Sequence, residues 1–421
     1  MLNTGDLSPT SQAIADTIAS YEDAMVAFTS DLIAIATENP PGMAYRACAE
    51  RIAEELAAFG QEATLIEVSP VTHETQGADT VASQPGYCVT SSYGEGTPTL
   101  YFHGHYDVVP AVYREQFSPY VRDGKLYGRG SSDMKGGIAA MVYALRALKE
   151  QRIPLTGRVA LALVPDEETG GDRGSRHLVE LGLLGRDGIG MLTAEPTEGV
   201  IWNASRGAIS LSVTVRGKPA HVGLHYLGVN AFEQMLRVAD ALLALKREVV
   251  THRTSFHIEP EAAQGSILMM GGRCEGGTNF NLVPEMCTFT VERRINPEED
   301  LETEKQRLLD VFEQLRREGI DVEADIFQEA PSSGNDAQHP LAQALAGNIA
   351  RVTGQTPSFE LCPGLLEIRW YAQRGVPAFA YGPGLLTVSH GPEEYIPVAN
   401  LAQTATVYAL TACDMLANPG H

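Results

Sequence analysis

Long apolar runs are missing from this chain of 421 residues, and with them the usual means of crossing a bilayer as a helix. The opening MLNTGDLSPTSQ has neither a basic start nor an apolar stretch, so no secretory leader and no membrane partner are expected. Cysteine is sparse and scattered, at positions 48, 88, 274, 287, 362 and 413, without a CxxC pair. That argues against a cysteine-built zinc site and for reduced thiols in the cytoplasm. Positive charge is also short: 31 Lys and Arg stand against 53 Asp and Glu, a formal net charge of −22. Such a surface repels a phosphate backbone, so nucleic acid is excluded as a partner. No internal repeat or low-complexity tract occurs.

What is present is enough for two cores, since chains of this length divide into domains. The residues to about Ile18 read as a frayed arm. From there to about residue 203, helical and strand patterns alternate. AERIAEELAAFG (49–60) is amphipathic and closes on glycine, and KGGIAAMVYALRALKE (135–150) carries Ile138, Met141, Val142, Leu145 and Leu148 at helical spacing. RVALALVP (158–165) is apolar nearly throughout, as in a parallel strand covered on both faces. Beyond Arg206 the texture changes. Leu211, Val213 and Val215 alternate with Ser210, Ser212 and Thr214, and Cys287, Phe289 and Val291 alternate with Thr288, Thr290 and Glu292. Strict alternation marks antiparallel strands with one wet face. Helical segments at 230–248 and 298–318 could cover the dry one. The expected fold is therefore a larger α/β domain with a mostly parallel mixed sheet, in two parts (1–206 and 327–421). A smaller α+β domain with an antiparallel sheet (207–326) interrupts it.

In TLYFHGHYDVVP (99–110) His103, His105 and Asp107 fall on one side of a strand. Three further motifs close predicted strands: GRGSSDMKGG (128–137), PDEETGG (165–171) and TAEPTEG (193–199). A fifth, SHGPEEY (389–395), lies far downstream. Ligands of open α/β sheets bind beyond the carboxyl ends of strands, so the first four can converge there. Imidazole nitrogen and carboxylate oxygen together suit zinc or a similar divalent ion. Each residue also has a plain reading: His103 as packing, Asp133 as a helix cap, Glu167 and Glu168 as first-turn acids, His390 as a loop residue. Five such motifs together outweigh those readings.

These motifs, with GKPAHVG, NLVPEMCTFTVERR and GPGLLTVSHGPEEYIP, make the chain resemble a family of di-zinc hydrolases from about residue 22 onward. That family includes acetylornithine deacetylase, succinyl-diaminopimelate desuccinylase, aminoacylase and glutamate carboxypeptidase. The resemblance implies a catalytic α/β domain interrupted by a lid that dimerises, and two divalent ions, zinc with cobalt or manganese as alternatives. It implies Asp133 as the shared ligand, His105 and Glu195 completing one site, and Glu168 and His390 the other. Asp107 would orient the His105 imidazole. Glu167 would take a proton from a metal-activated water and deliver it to the departing amine. His221 would stabilise an oxyanion in the neighbouring subunit, and Asn281 and Arg294 would grip a substrate carboxylate. His103 is left as a bystander.

The expected activity is deacylation of an N-acyl amino acid or close analogue by a homodimer. A dipeptidase or carboxypeptidase is the alternative, and a non-catalytic binding protein a more remote one. Relatives often carry a Ser/Thr–Asp–Ala–Arg type sequence where this chain has PGLLEIRWY (363–371), with Leu366 and Glu367 in the small-polar and acidic places and Arg369 keeping the arginine. A leucine there would favour a substrate less polar at that end.

Overall fold

The computed structural model describes residues 7–69 and 84–417. They form two compact units. The first comprises residues up to 203, 335–359 and 370 onward; the second comprises 204–334 and 360–369.

The first unit supplies most of a nine-stranded mixed sheet. Its order is Thr64–Val68, Gly86–Gly94, Arg158–Val164, Thr99–His105, Gly188–Thr193, Ala378–Ala380 and Ile201–Ser205. The short strands Ser333–Gly334 and Phe359–Cys362 add to the last of these. The four central strands, from Arg158–Val164 to Ala378–Ala380, run parallel, and antiparallel strands flank them. Thr99–His105 is buried at every position. Arg158–Val164 is not covered on both faces at its start: Val159, Leu161 and Leu163 pack into the core, whereas Arg158 and Ala160 stay partly exposed. Helices Gly136–Glu150 and Val398–Leu416 cover the sheet, joining Ile138, Met141 and Leu145 to Phe102 and Tyr408 in one apolar cluster. Burial of that apolar surface is the main favourable term in the fold.

The expected frayed arm is a helix, Pro9–Ala19, as far as the described residues reach; residues 1–6 lie outside them. Ser8 caps it by accepting from the Ser11 amide at 3.2 Å, proline occupies its first turn, and Ile14 and Ile18, four apart, are fully buried. The signals of a helix start were all in SPTSQAIADTIA.

In the second unit four antiparallel strands run in the order Ile267–Gly276, Met286–Ile295, Gly207–Arg216 and Asp321–Ala330. Register sets Val213 opposite Phe289 and Leu211 opposite Val291, so the alternating apolar residues share one face. Helix Ala231–Val249, capped by Asn230, and helix Leu301–Arg317, capped by Asp300, lay Val238, Leu242, Leu308 and Phe312 into the same core. No helix among the described residues is long and apolar enough to cross a membrane. All six cysteines are free.

Candidate metal centre

Parallel strands bring their carboxyl ends to one edge of the sheet, and the motifs of His105, of Glu167 and Glu168, and of Glu195 follow those ends. The expected strand end before Asp133 is not there: Asp133 lies on Ser131–Lys135 at the entry to helix Gly136–Glu150, after a strand (Lys125–Tyr127) of a separate three-stranded sheet. His105 closes its strand level with Val164, whose chain continues through Pro165 to Glu167 and Glu168. His103 lies level with Thr193, two residues before Glu195, and Thr193 pairs with Ala380, whose chain leads on to His390. Close approach of backbones is required here. A β-carbon on Gly382 would lie 2.2 Å from the carbonyl oxygens of both Ala194 and Glu195, so only glycine fits.

Asp133 stands between two histidines. Its Oδ1 is 3.1 Å from His105 Nε2, and its Oδ2 is 3.3 Å from His390 Nε2. Glu195 Oε2 lies 3.8 Å from His105 Nε2, and Glu168 Oε1 lies 3.3 Å from His390 Nε2. Two groups of three donors result, His105–Asp133–Glu195 and Asp133–Glu168–His390, with Asp133 common to both. His105 Nδ1 is 3.0 Å from the Asp107 carbonyl oxygen, which can only accept. Nδ1 therefore carries a proton, and Nε2 is the ring atom turned toward the carboxylates, the one a metal ion would take. Glu168 Oε1 is buried and, despite the nearby imidazole, accepts no hydrogen bond. Lone pairs aimed at one another across a buried cluster are what a divalent cation would satisfy, and the N/O donor set suits zinc.

The titration behaviour agrees. Burial alone would lower the His105 imidazole, but Asp107, Asp133 and Glu195 hold it well above its usual value. The Asp133 and Glu168 carboxylates raise His390 to about 10. Burial pushes Glu168 up to about 7, whereas Asp133, although buried, is held below the ordinary carboxylate range by the two imidazoles.

Asp107 does more than face His105. Its Oδ1 is 3.3 Å from His105 Nδ1 and accepts from the Glu167 amide at 3.2 Å; its Oδ2 accepts from the Glu168 amide at 3.1 Å and from Asn39 Nδ2 at 2.9 Å. One carboxylate thus fixes the turn that carries both glutamates. Glu167 is half-buried beside Glu168 on this turn, Glu167–Thr169. His103 projects from the same strand, but its ring meets Tyr371 Oη at 3.1 Å and Ser175 Oγ at 3.2 Å, so it packs among hydroxyls.

Residues not singled out from sequence complete the surroundings. Asn39 is one; it offers neither acid nor imidazole and nothing in its segment marks it. Glu394 is another, although SHGPEEY contains it. Its Oε1 accepts the Ser132 and Asp133 amides at 3.0 and 3.1 Å, and its Oε2 pairs with Arg129 at 2.7 Å.

In the second unit, His221 is exposed and accepts from the Gly223 amide through Nδ1 at 3.1 Å. The neighbouring Val222 amide donates to the Asn281 carbonyl at 2.9 Å. Arg294 is half-buried with Nε 2.6 Å from Glu292 Oε1. Leu366 is buried, and Arg369, in the short helix Ile368–Ala372, donates to the Leu366 carbonyl at 2.7 Å and lies 3.3 Å from Glu367. A third acidic group, His252–Glu299–Glu304, already contains a cation: Arg293 lies 2.5 Å from Glu299 and 2.7 Å from Glu304.

The model of peptidase family M20/M25/M40 matches residues 101–414. The chain belongs to this family. As an M20/M25/M40 member it is a hydrolase, and the paired donor groups are its candidate metal centre. It is 26% identical over 410 residues to a Staphylococcus epidermidis protein named probable succinyl-diaminopimelate desuccinylase, covering 90% of this chain and 94% of that one. It is 29% identical over 327 residues to aminoacylase-1 of Sus scrofa, covering 73% and 78%. Its fold matches the crystal structure of human carnosine dipeptidase 1 with a TM-score of 0.72 over 97% of this chain and 99% of that one. At 16% identity that likeness establishes fold alone.

Proposed function

We propose that this M20/M25/M40 member is a metal-dependent deacylase that hydrolyses the amide of an N-acyl amino acid or close analogue. The observation that carries the reading is Asp133, whose two oxygens face two different histidines while Asp107 holds Glu167 and Glu168 side by side. His105, Asp133 and Glu195 would hold one divalent ion, and Asp133, Glu168 and His390 the other, both zinc. Bound there, the ions would polarise the scissile carbonyl and acidify the attacking water. Glu167 takes the proton of that water and passes it to the departing nitrogen, so the amine leaves neutral. Asp107 keeps the Glu167 carboxylate in place through the backbone. His221 would donate to the developing oxyanion in a second subunit, and Asn281 with Arg294 would bind the substrate carboxylate, Arg294 exchanging Glu292 for it.

Homodimerisation through residues 207–326 fits the apolar stripe on helix Ala231–Val249. Phe232, Leu236 and Leu243 are exposed there, with Ile267 and Met269 exposed on the edge strand.

The test is amine release from a panel of N-formyl, N-acetyl, N-succinyl and longer N-acyl amino acids with dipeptides alongside, before chelation, after it, and after zinc is restored. Activity that vanishes and returns supports the reading; dipeptides alone being cleaved would make the enzyme a dipeptidase. Glu167→Gln is expected to lower kcat by ~10²–10⁴-fold with metal content unchanged. Leu366→Ser is expected to shift preference toward more polar acyl groups, and an unchanged ranking would sink the idea that Leu366 sets it.

A further inference from the structure

Arg129 and Glu394 form a charged pair withdrawn from water, their side chains 1% and 0% exposed, with Arg129 Nη1 2.7 Å from Glu394 Oε2. Buried pairs of this kind contribute little net stability, because desolvation offsets their attraction. What this one does have is reach. Glu394 Oε1 accepts the amides of Ser132 and Asp133, the second of which lies where the chain is not helical (Asp133 φ −124°, ψ 97°). On the other side, Arg129 Nη2 donates to the His390 carbonyl at 3.2 Å and lies 3.4 Å from the Pro110 carbonyl. One ion pair therefore ties the Asp133 backbone to the His390 loop.

The two metal groups depend on it unequally. His105 ends a strand of the sheet and is paired there, and Glu195 comes only two residues after another paired strand, where its backbone packs closely on Gly382. His390 sits on a loop, half exposed, at a left-handed φ of +62° that a residue with a β-carbon adopts only when held. Its holders are Arg129 on the His390 carbonyl, Gln116 Nε2 on the Gly391 carbonyl at 3.0 Å and Tyr113 on Pro392.

We infer that Arg129 and Glu394 are positioning residues whose ion pair sets the His390 loop against Asp133, so that breaking the pair, with an acceptor for the Asp133 amide kept at position 394, weakens the Asp133–Glu168–His390 site selectively. The inference rests on the metal-centre reading above. Its test uses full-length protein and reads bound zinc by elemental analysis during titration with a competing chelator. Wild type is expected to retain two ions. Glu394→Gln keeps an acceptor for the two amides but loses the ion pair, and Arg129→Met loses the tie to His390. Each should leave one ion tightly held and release the other at ~10–100-fold lower affinity.

His390→Ala identifies the site. Adding Glu394→Gln to His390→Ala should not weaken the remaining ion further, because both changes act on the same site. Loss of both ions in parallel, no change in either, or additive weakening in the double variant would overturn the inference. Wild type that binds no zinc would instead overturn the metal-centre reading, and this inference with it. Should Glu394→Gln lose its far-UV circular dichroism, Gln116→Ala takes its place. It removes a neutral hold on the same loop and should weaken the same ion by a smaller factor; an unchanged affinity, or equal weakening of both ions, would count against the inference.

Discussion

At the scale of single residues, the centre shows how much one carboxylate can organise. Asp107 accepts two backbone amides and the Asn39 amide while facing the His105 ring. Asp107→Asn would turn one accepting oxygen into an NH₂ that meets other donors. We expect metal affinity or turnover to fall by ~10–100-fold with the fold retained, checked by chelator competition alongside circular dichroism. The reading of His103, His105 and Asp107 as one side of a strand reaches only as far as His105, where the strand ends; Asp107 lies two residues beyond it and meets His105 by the turn of the chain there. Its partner Asn39 was not legible, since it meets Asp107 from 68 residues away and carries no chemistry that marks it.

At the scale of elements, His105 and Glu195 are placed by strand ends, Asp133 by the entry to a helix and His390 by a loop, and close backbone contacts keep them there. Gly382→Ala would drive a methyl group into the Ala194 and Glu195 carbonyls at 2.2 Å. It should lower both the thermal midpoint and zinc affinity, whereas Gly182→Ala, with nothing near its β-position, should cost only its left-handed backbone preference. Differential scanning calorimetry of the two variants separates these effects. In the second unit, Phe312 is fully buried between helix and sheet, and Phe312→Ala is expected to cost about 3–5 kcal/mol in urea unfolding. That helix was readable from its period. The extent of its sheet was less so: the last strand runs on to Ala330, paired with Ala208 across a register shift near Ile326 that alternation alone does not reveal.

At the scale of the whole molecule, alkaline stability follows from buried phenols. Burial, with a hydrogen bond to Glu150, raises Tyr21 to about 12; burial raises Tyr381 to about 12 and holds Tyr106 and Tyr408 well above their usual value. Unfolded tyrosines lose their protons near pH ~10, so above that pH the unfolded chain binds fewer protons than the folded one. Stability is then complete below pH ~10 and falls as pH rises beyond it, which urea midpoints between pH 8 and 11.5 would record. A flat profile would mean that these phenols ionise without unfolding the chain. The proposed homodimer is tested separately. Leu236→Glu places a charge on the exposed stripe and should yield a monomer by sedimentation with an unchanged midpoint for unfolding of the isolated subunit.

The sequence by itself determined the local patterns: period-two strands in the second unit, helical spacing in the covering helices, and acids and histidines set where strands end. These are properties of neighbours in the chain, fixed by backbone geometry and by which side chains water rejects. Only the tertiary structure decided which motifs meet. His105 and Asp133 stand 28 residues apart and His390 more than two hundred further on, and no local preference carries that information. The pairing of Arg129 with Glu394 belongs to the same class. A buried ion pair forms only where packing excludes water from both partners, and that depends on the whole core closing around them.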